Sequence, residues 1–242
     1  TLLLNPAFAA TFAPPVMEAR RWLKETTLPE GVSLMNLSQA APVDPPPAPM
    51  RAAMARAVEQ DPDIHLYSPV LGNGPLRERL AARIAALYDG TVAPAQVALT
   101  SGCNQAFCAL MASIAGPGDA VLLPTPWYFN HKMALDMAGA KAVPLPTDAA
   151  LLPQVAAAEA LITERTRAIA LVSPNNPAGV EYPSDLIGAF FDLCQARGIT
   201  LILDETYRDF HSSSAAPHDL FTRPDWDRTL VHLYSFSKAY RL

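Results

Sequence analysis

The stretch TLILDETYRDF, residues 200–210, joins an apolar run directly to a carboxylate. Residues 200–204 have the composition of a short buried strand, with Asp204 at its tip. Burying a carboxylate is costly unless a cationic partner lies nearby, although a helix N-cap or a structural salt bridge would account for it equally well. The other apolar runs of the chain are also followed by polar residues.

Five short apolar runs predict the strands of a buried sheet. They are VALT (97–100), AVLLP (120–124), AIALV (168–172), TLILD (200–204) and LVHLYS (230–235). Helical patterns lie between them, such as QAFCALMASIAG (105–116) and PSDLIGAFFDLCQARG (183–198), where Gly198 is a stop signal. Apolar strands alternating with helices predict an α/β fold of three α/β/α layers around a mostly parallel central sheet.

The first 44 residues differ in character from the rest. One amphipathic segment, VMEARRWLKE (16–25), precedes a proline-rich passage with little power to form a core. We therefore expect an N-terminal arm over 1–44 and a large domain over 45–242. Helical patterns open that domain at 50–60 and 75–88, the second with an apolar face made of Leu76, Leu80, Ile84 and Leu87.

Composition argues against several classes of partner. Half of the 242 residues are hydrophobic, 17% are charged and the net charge is -5, without a basic run that could neutralise a phosphate backbone. We expect neither nucleic acid nor membrane partners, and no export signal is recognisable. The three cysteines cannot all pair, which favours a reducing cytoplasm, and neither they nor the five scattered histidines have metal-ligand spacing.

Ligands of open parallel sheets bind at the carboxyl ends of the strands, where this chain places polar groups. Ser101, Gly102 and Cys103 open a helix and offer backbone amides to an anion, although a glycine turn before a helix is more often a plain connection. SPNNPAG (173–179) would aim Asn175 and Asn176 across the crevice, unless it is an ordinary surface turn.

The last strand end, SFSK (235–238), adds an amine and two hydroxyls to the same edge. A lone lysine such as Lys238 is usually a solvated surface charge. Here four neighbouring strand ends deliver an anion-binding helix start, an amide, a carboxylate and an amine. Pyridoxal phosphate would use them all, because it carries a phosphate, a basic ring nitrogen and an aldehyde.

The order of the motifs extends this interpretation to a family. From Met35 to Leu242 the chain resembles the fold-type I pyridoxal-phosphate enzymes, specifically the class I/II aminotransferases of the aspartate aminotransferase superfamily. The motifs, in family order, are NLSQAAP, YSPVLGNGPLRERLA, TSGCNQAF, PTPWYFNH, SPNNPAG, DETYRDF and SFSKAYRL. The resemblance implies the large domain of that fold over 45–242, part of a small domain within 1–44, and an absent C-terminal small domain.

The resemblance also implies catalytic roles. Lys238 would form the Schiff base and move protons, and Asp204 would keep the ring nitrogen protonated. Asn176 and Tyr207 would bond the ring oxygen. Tyr128 would stack on the ring, with Trp127 as the alternative if the alignment shifts by one residue.

Phosphate binding is implied for a second group of residues. It comprises Ser235, Ser237, the amides of Gly102 and Cys103, and Tyr67 from a partner subunit, which implies a homodimer with shared sites. Two further family arginines, one for the phosphate and one for the substrate carboxylate, would fall beyond Leu242. On this interpretation the 242 residues alone would be inactive.

Four positions carry weaker expectations. Ala40 and Ala178 replace a glycine and a threonine that are common in the family, both small changes. His131 could touch the site, but helix capping is the expected use. A helix N-terminus could lower the pKa of Cys103, although a small packing residue is the default interpretation.

The predicted function is an amino-acid aminotransferase that passes nitrogen from an amino acid to a 2-oxo acid by a ping-pong reaction. A β-lyase, decarboxylase or synthase on the same scaffold would share Lys238 and Asp204. A ligand-sensing domain of a transcription regulator is a further alternative, from a different class of protein. The sequence does not identify the substrates.

Overall fold

Five parallel strands form the sheet that positions the strand tips. The computed structural model describes residues 3–39 and 41–242, so Ala40 lies outside the described residues. The strands are β1 (Ala120–Pro124), β2 (Lys141–Leu145), β3 (Thr166–Val172), β4 (Thr200–Asp204) and β5 (Leu230–Leu233). Their order across the sheet is β2-β1-β3-β4-β5. The register places Asp204 beside Val172 on one side and Leu233 on the other, so these strand ends meet at one edge.

Helices cover both faces of this sheet. In the described ranges they are α1 (Pro6–Ala9), α2 (Pro15–Glu25), α3 (Ala48–Gln60), α4 (Gly74–Leu87), α5 (Cys103–Ile114), α6 (Phe129–Ala138), α7 (Val155–Leu161), α8 (Ser184–Arg197) and α9 (Phe236–Ala239). The predicted three-layer α/β/α fold is therefore confirmed.

Two apolar cores lie on opposite faces of the sheet. Leu201 and Leu203 of β4 pack in the core that contains α8, whereas Ile202 packs with Phe107 of α5 and Leu135 of α6. This alternation follows from the two-residue period of a strand. It assigns consecutive residues at the tip of β4 to opposite faces.

Helix α8 matches its prediction closely. Ile187, Phe190, Phe191 and Cys194 are buried, and Leu186 packs against the same core. Gly198 caps the helix in the left-handed conformation, with φ 63°. Helix α4 agrees less well, because its Leu76 and Leu87 are exposed.

The prediction of a strand at VALT (97–100) is wrong. The N–H of Leu99 donates to the carbonyl of Leu71 at 3.0 Å, and the carbonyl of Val97 accepts from Arg77 Nε at 2.7 Å. Among the described residues, this segment pairs with no strand. A cavity of about 910 Å³, lined by residues 97–100 and by β5, lies beside it.

One further strand was not predicted, and one predicted strand ends earlier than expected. Strand β2 was not predicted, because Lys141 and Pro144 make KAVPL read poorly as a buried strand. Its place at the edge of the sheet explains both residues, since proline is tolerated on edge strands. Strand β5 ends at Leu233, two residues before the predicted end.

The N-terminal region is attached differently from the sheet. Neither α2 nor α3 contains a buried residue, whereas the short helix α1 packs against α6. The division at residue 44 stays a prediction. Within residues 3–39 and 41–242, every helix is too short or too polar to cross a bilayer.

Candidate active site at the carboxyl edge of the sheet

Asp204 is a buried carboxylate with a defined set of partners. Its side chain is 2% exposed, and Oδ2 lies 3.1 Å from His131 Nε2. Oδ1 accepts a hydrogen bond from the N–H of Thr206 at 3.0 Å. Burial alone would raise the pKa of Asp204, but the bonds from His131 and Thr206 outweigh it and lower the pKa. The carboxylate is therefore kept anionic inside the protein.

His131 contacts the site, an option that the sequence left open behind the preferred use as a helix cap. It does not cap helix α6, as expected, but lies buried inside it and bonds Asp204. Its ring stacks on Phe107, with centroids 3.9 Å apart and planes 13° apart. The position of His131 three residues after Tyr128 in PTPWYFNH was the available signal, and only the fold shows where the ring points.

Tyr128 and Trp127 have different surroundings. The Tyr128 and His131 rings are nearly perpendicular, with centroids 5.0 Å apart, and the Tyr128 hydroxyl accepts a hydrogen bond from Asn130 Nδ2 at 2.7 Å. Burial is the main cause that raises the pKa of Tyr128. Trp127 instead packs against the apolar core. This arrangement places Tyr128, rather than Trp127, next to the pair formed by His131 and Asp204.

The two asparagines of SPNNPAG have separate roles. Asn175 is buried in its own turn, where Nδ2 donates to the Tyr182 hydroxyl at 3.1 Å and Oδ1 accepts from the N–H of Ala178 at 2.9 Å. The expectation that Asn175 points across the crevice is therefore wrong, because its amide groups are needed within the turn. Asn176 instead hydrogen-bonds the side chain of Tyr207.

Lys238 lies against the ring of Tyr207. Its Nζ is 5.5 Å from the centre of the Tyr207 ring, and partial burial lowers the pKa of the amine. Burial, together with the nearby Tyr128 and Asp204, raises the pKa of the Tyr207 hydroxyl. The Lys238 amine thus lies over the Tyr207 ring, and the Tyr207 side chain bonds the Asn176 amide.

The serines before Lys238 and the turn before α5 line one cavity. Ser235 Oγ lies 2.5 Å from Ser237 Oγ and also accepts from the N–H of Ser237 at 3.2 Å. Both serines line the 910 Å³ cavity together with Ser101 and Gly102. The fold therefore brings three of the predicted phosphate-binding residues to one space.

Gly102 and Cys103 differ in what they offer an anion. Gly102 has φ 86°, a conformation that favours glycine, and its N–H donates to the carbonyl of Thr100 at 2.8 Å. Cys103 begins α5 with its Sγ 3.9 Å from Asp204 Oδ1. Burial and the neighbouring carboxylate raise the pKa of Cys103 to about 12, so the suggestion that the helix start lowers this pKa is wrong.

Tyr67 is not brought to the other site residues. Its side chain is fully exposed, on the segment that follows α3. The roles of all ten predicted site residues toward a cofactor stay predictions. Among the described residues, no three His, Cys, Asp or Glu side chains are grouped as a metal site requires.

Fold and site together define a class: a three-layer α/β protein with a buried carboxylate and an amine at the carboxyl edge of a parallel sheet. The profile of the family "Aminotransferase class I and II" matches residues 32–242. The chain therefore belongs to the class I and II aminotransferase family.

Named relatives agree with this assignment. The chain is 33% identical to an arginine–pyruvate transaminase of Pseudomonas aeruginosa over 84% of this chain and 52% of the relative. It is 29% identical to a bifunctional aspartate aminotransferase and glutamate/aspartate-prephenate aminotransferase of Petunia hybrida, over 88% of this chain and 44% of that protein. The chain thus spans about half the length of these curated relatives.

A solved structure shows the same fold. The aspartate aminotransferase of Thermus thermophilus with maleate superposes with a TM-score of 0.87 and 25% identity, over 99% of this chain and 62% of that chain.

Proposed function

We propose that this protein is a pyridoxal-phosphate-dependent aminotransferase, which moves an amino group from an amino acid to a 2-oxo acid. One observation carries the proposal: the buried Asp204 carboxylate is held anionic by His131 at the sheet edge where Lys238 lies beside Tyr207. Membership of the class I and II aminotransferase family supports it.

The donor set fits pyridoxal phosphate. The helix start at Cys103 and the hydroxyls of Ser235 and Ser237 suit a phosphate, and the anionic Asp204 suits a protonated ring nitrogen. Tyr207 and Asn176 suit the ring oxygen. When bound, pyridoxal phosphate supplies an aldehyde that accepts the substrate's nitrogen and a protonated ring that withdraws electrons.

Two residues of the chain carry the proton chemistry in this proposal. Asp204 stabilises a proton on the ring nitrogen, because its own pKa is lowered and it stays ionised at neutral pH. Lys238 accepts and returns a proton at its Nζ, and the lowered pKa of the amine increases the neutral fraction that can accept one. Tyr128, whose ring contacts His131 at the start of α6, would cover the site and limit the access of water.

The test compares the visible absorbance of the purified full-length protein with that of its Lys238→Ala variant after pyridoxal phosphate is added. We expect a chromophore in the wild type that is bleached by an amino acid and restored by a 2-oxo acid. Arg79→Ala, a change on the exposed side of α4, is the matched control and should behave like the wild type. The proposal is wrong if no absorbance depends on Lys238.

The same assay separates transamination from the related chemistries. A lyase would release pyruvate and ammonia from a cysteine conjugate with no 2-oxo acid present. Bleaching without recovery on any 2-oxo acid would also count against transamination. The relatives' names suggest the first donors to test, arginine and aspartate, with pyruvate as an acceptor.

We further propose a homodimer in which Tyr67 of the partner subunit reaches the phosphate site, and a cytoplasmic location. Full exposure of Tyr67 and the absence of buried residues in α3 support the first. The three cysteines are free thiols, which suits a reducing compartment.

A further inference from the structure

Glu205, the residue after Asp204, is a second buried carboxylate that the proposed reaction does not use. Its side chain is 1% exposed. Because side chains alternate at the end of a strand, it points to the opposite face of the sheet, toward Tyr88 and Phe221 rather than Phe107. The end of β4 thus carries two buried carboxylates, Asp204 and Glu205, which point to opposite faces of the sheet.

Three polar side chains contact the Glu205 carboxylate. The Tyr88 hydroxyl donates to Oε2, His232 Nε2 lies 2.8 Å from the same oxygen, and His218 Nε2 lies 3.4 Å from it. Arg208, also buried, lies over the Tyr88 ring at 5.5 Å. Burial would raise the pKa of Glu205, but the two histidines lower it well below its usual range. A buried carboxylate with such partners is costly to disturb.

Two hydrogen bonds of Glu205 join strands β4 and β5 at the carboxyl edge of the sheet. The N–H of Glu205 donates to the carbonyl of Leu233 at 2.8 Å, and its side chain bonds His232. Both partners belong to β5, which leads directly to Ser235 and Lys238. The same short segment of β4 carries Asp204. Tyr88, by contrast, caps α4, an element without a predicted site residue.

We propose that Glu205 is a positioning residue for the aminotransferase reaction: through His232 it fixes the end of β4, which carries Asp204, against the end of β5, which leads to Lys238. This inference rests on the proposed function. It predicts that the bond between the strands matters for the cofactor, whereas the bond to α4 matters only for stability.

The test compares His232→Phe with Tyr88→Phe in the purified protein. Each removes one partner of the same carboxylate. The measurements are the dissociation constant for pyridoxal phosphate, the pH midpoint of the Lys238-dependent chromophore and the urea midpoint of unfolding. His232→Phe should weaken cofactor binding by about tenfold or more and shift the pH midpoint, since small displacements of reacting groups are costly. Tyr88→Phe should lower only the urea midpoint.

Two Glu205 variants complete the design. Glu205→Gln keeps the reach to His232 and should retain most of the cofactor affinity, whereas Glu205→Ala should behave like His232→Phe. If His232→Phe does not fold, His232→Asn provides the milder removal of the contact.

The outcomes distinguish the positioning role of Glu205 from the proposed aminotransferase function. A wild type without a Lys238-dependent chromophore overturns both. A normal wild-type chromophore that His232→Phe leaves unchanged, or that Tyr88→Phe alters equally, overturns the positioning role alone.

Discussion

At the scale of single residues, the pair formed by Asp204 and His131 is the most informative contact in the protein. Both side chains are 2% exposed, so neither is solvated by bulk water. Removing one member of a buried pair leaves the other charge or polar group uncompensated, which costs more than the pair contributes. His131 therefore stabilises the fold as well as the charge on Asp204.

The variant His131→Leu tests this pairing. We expect the free energy of unfolding at pH 7 to fall by about 3 kcal/mol, because the buried carboxylate loses its partner. Urea denaturation measures the change. The double variant His131→Leu/Asp204→Asn should lose less than the sum of the two single variants, and strict additivity would contradict a direct interaction.

Acid unfolding tests the lowered pKa values of Asp204 and Glu205. In the unfolded chain such groups titrate at about 3.9 and 4.3, above their folded values, so below neutral pH the unfolded state binds more protons. The stabilisation is complete above those unfolded values and is lost as pH falls through the folded ones. The melting temperature should fall steeply below about pH 4. Glu205→Gln should flatten this dependence, and an unchanged slope would contradict the assignment.

At the scale of elements, the boundaries follow local backbone requirements where these are strict. Helix α8 ends at Gly198 because the chain turns there through positive φ, which other residues adopt at a cost. A Cβ at Gly198 would meet nothing within 4 Å, so crowding is not the reason for glycine. The requirement is purely conformational.

Gly198→Ala should therefore lower the free energy of unfolding by about 1 kcal/mol through backbone strain alone. Gly116→Ala is the matched control, since a Cβ at Gly116 also meets nothing within 4 Å and its φ is not positive. Denaturant titration of both variants provides the comparison. Equal losses would show that strain at Gly198 is not the cause.

At the scale of the whole molecule, the N-terminal third differs from the rest, because none of its described residues (3–39 and 41–80) is buried. Large apolar side chains there are exposed, among them Trp22, Leu34, Leu37 and Val58. Exposed apolar surface of this extent is typical of interaction surfaces. It agrees with the proposed homodimer, in which Tyr67 would enter the partner subunit's site.

Tyr67→Phe tests that arrangement. We expect cofactor affinity to fall by about tenfold, the effect of losing a hydrogen bond to a charged group. Val70→Ala, a change of an equally exposed residue nearby, should have no effect. Absorbance titration measures both variants.

Mixed dimers decide whether the tyrosine acts across subunits. A dimer of one Tyr67→Phe chain and one Lys238→Ala chain should contain one site of full affinity if Tyr67 serves the partner. It should contain none if Tyr67 serves its own chain. A protein that is monomeric in sedimentation yet binds the cofactor normally would overturn the dimer proposal.

Much of this architecture was predictable from local patterns. Three strands and one helix were predictable because their apolar composition and the spacing of their apolar residues indicate burial and the type of element. They are the strands at 120–124, 168–172 and 200–204 and the helix at 184–197. The segment 97–100 was not, because a strand needs a neighbour to accept its hydrogen bonds and apolar composition does not supply one. Strand β2 was missed for the opposite reason, since its partner β1 compensates for a weak sequence.

The sequence by itself determined the chemical groups at the sheet edge, since the order of strands and polar residues places Asp204, Asn176 and Lys238 after buried runs. Only the tertiary structure decided their partners. His131 of α6 contacts Asp204, and His232 of β5 contacts Glu205. The Asn175 amide makes its hydrogen bonds close to its own turn. The physical reason is that a residue's type is local, whereas the direction of a side chain and the charge beside it depend on elements far away in the chain.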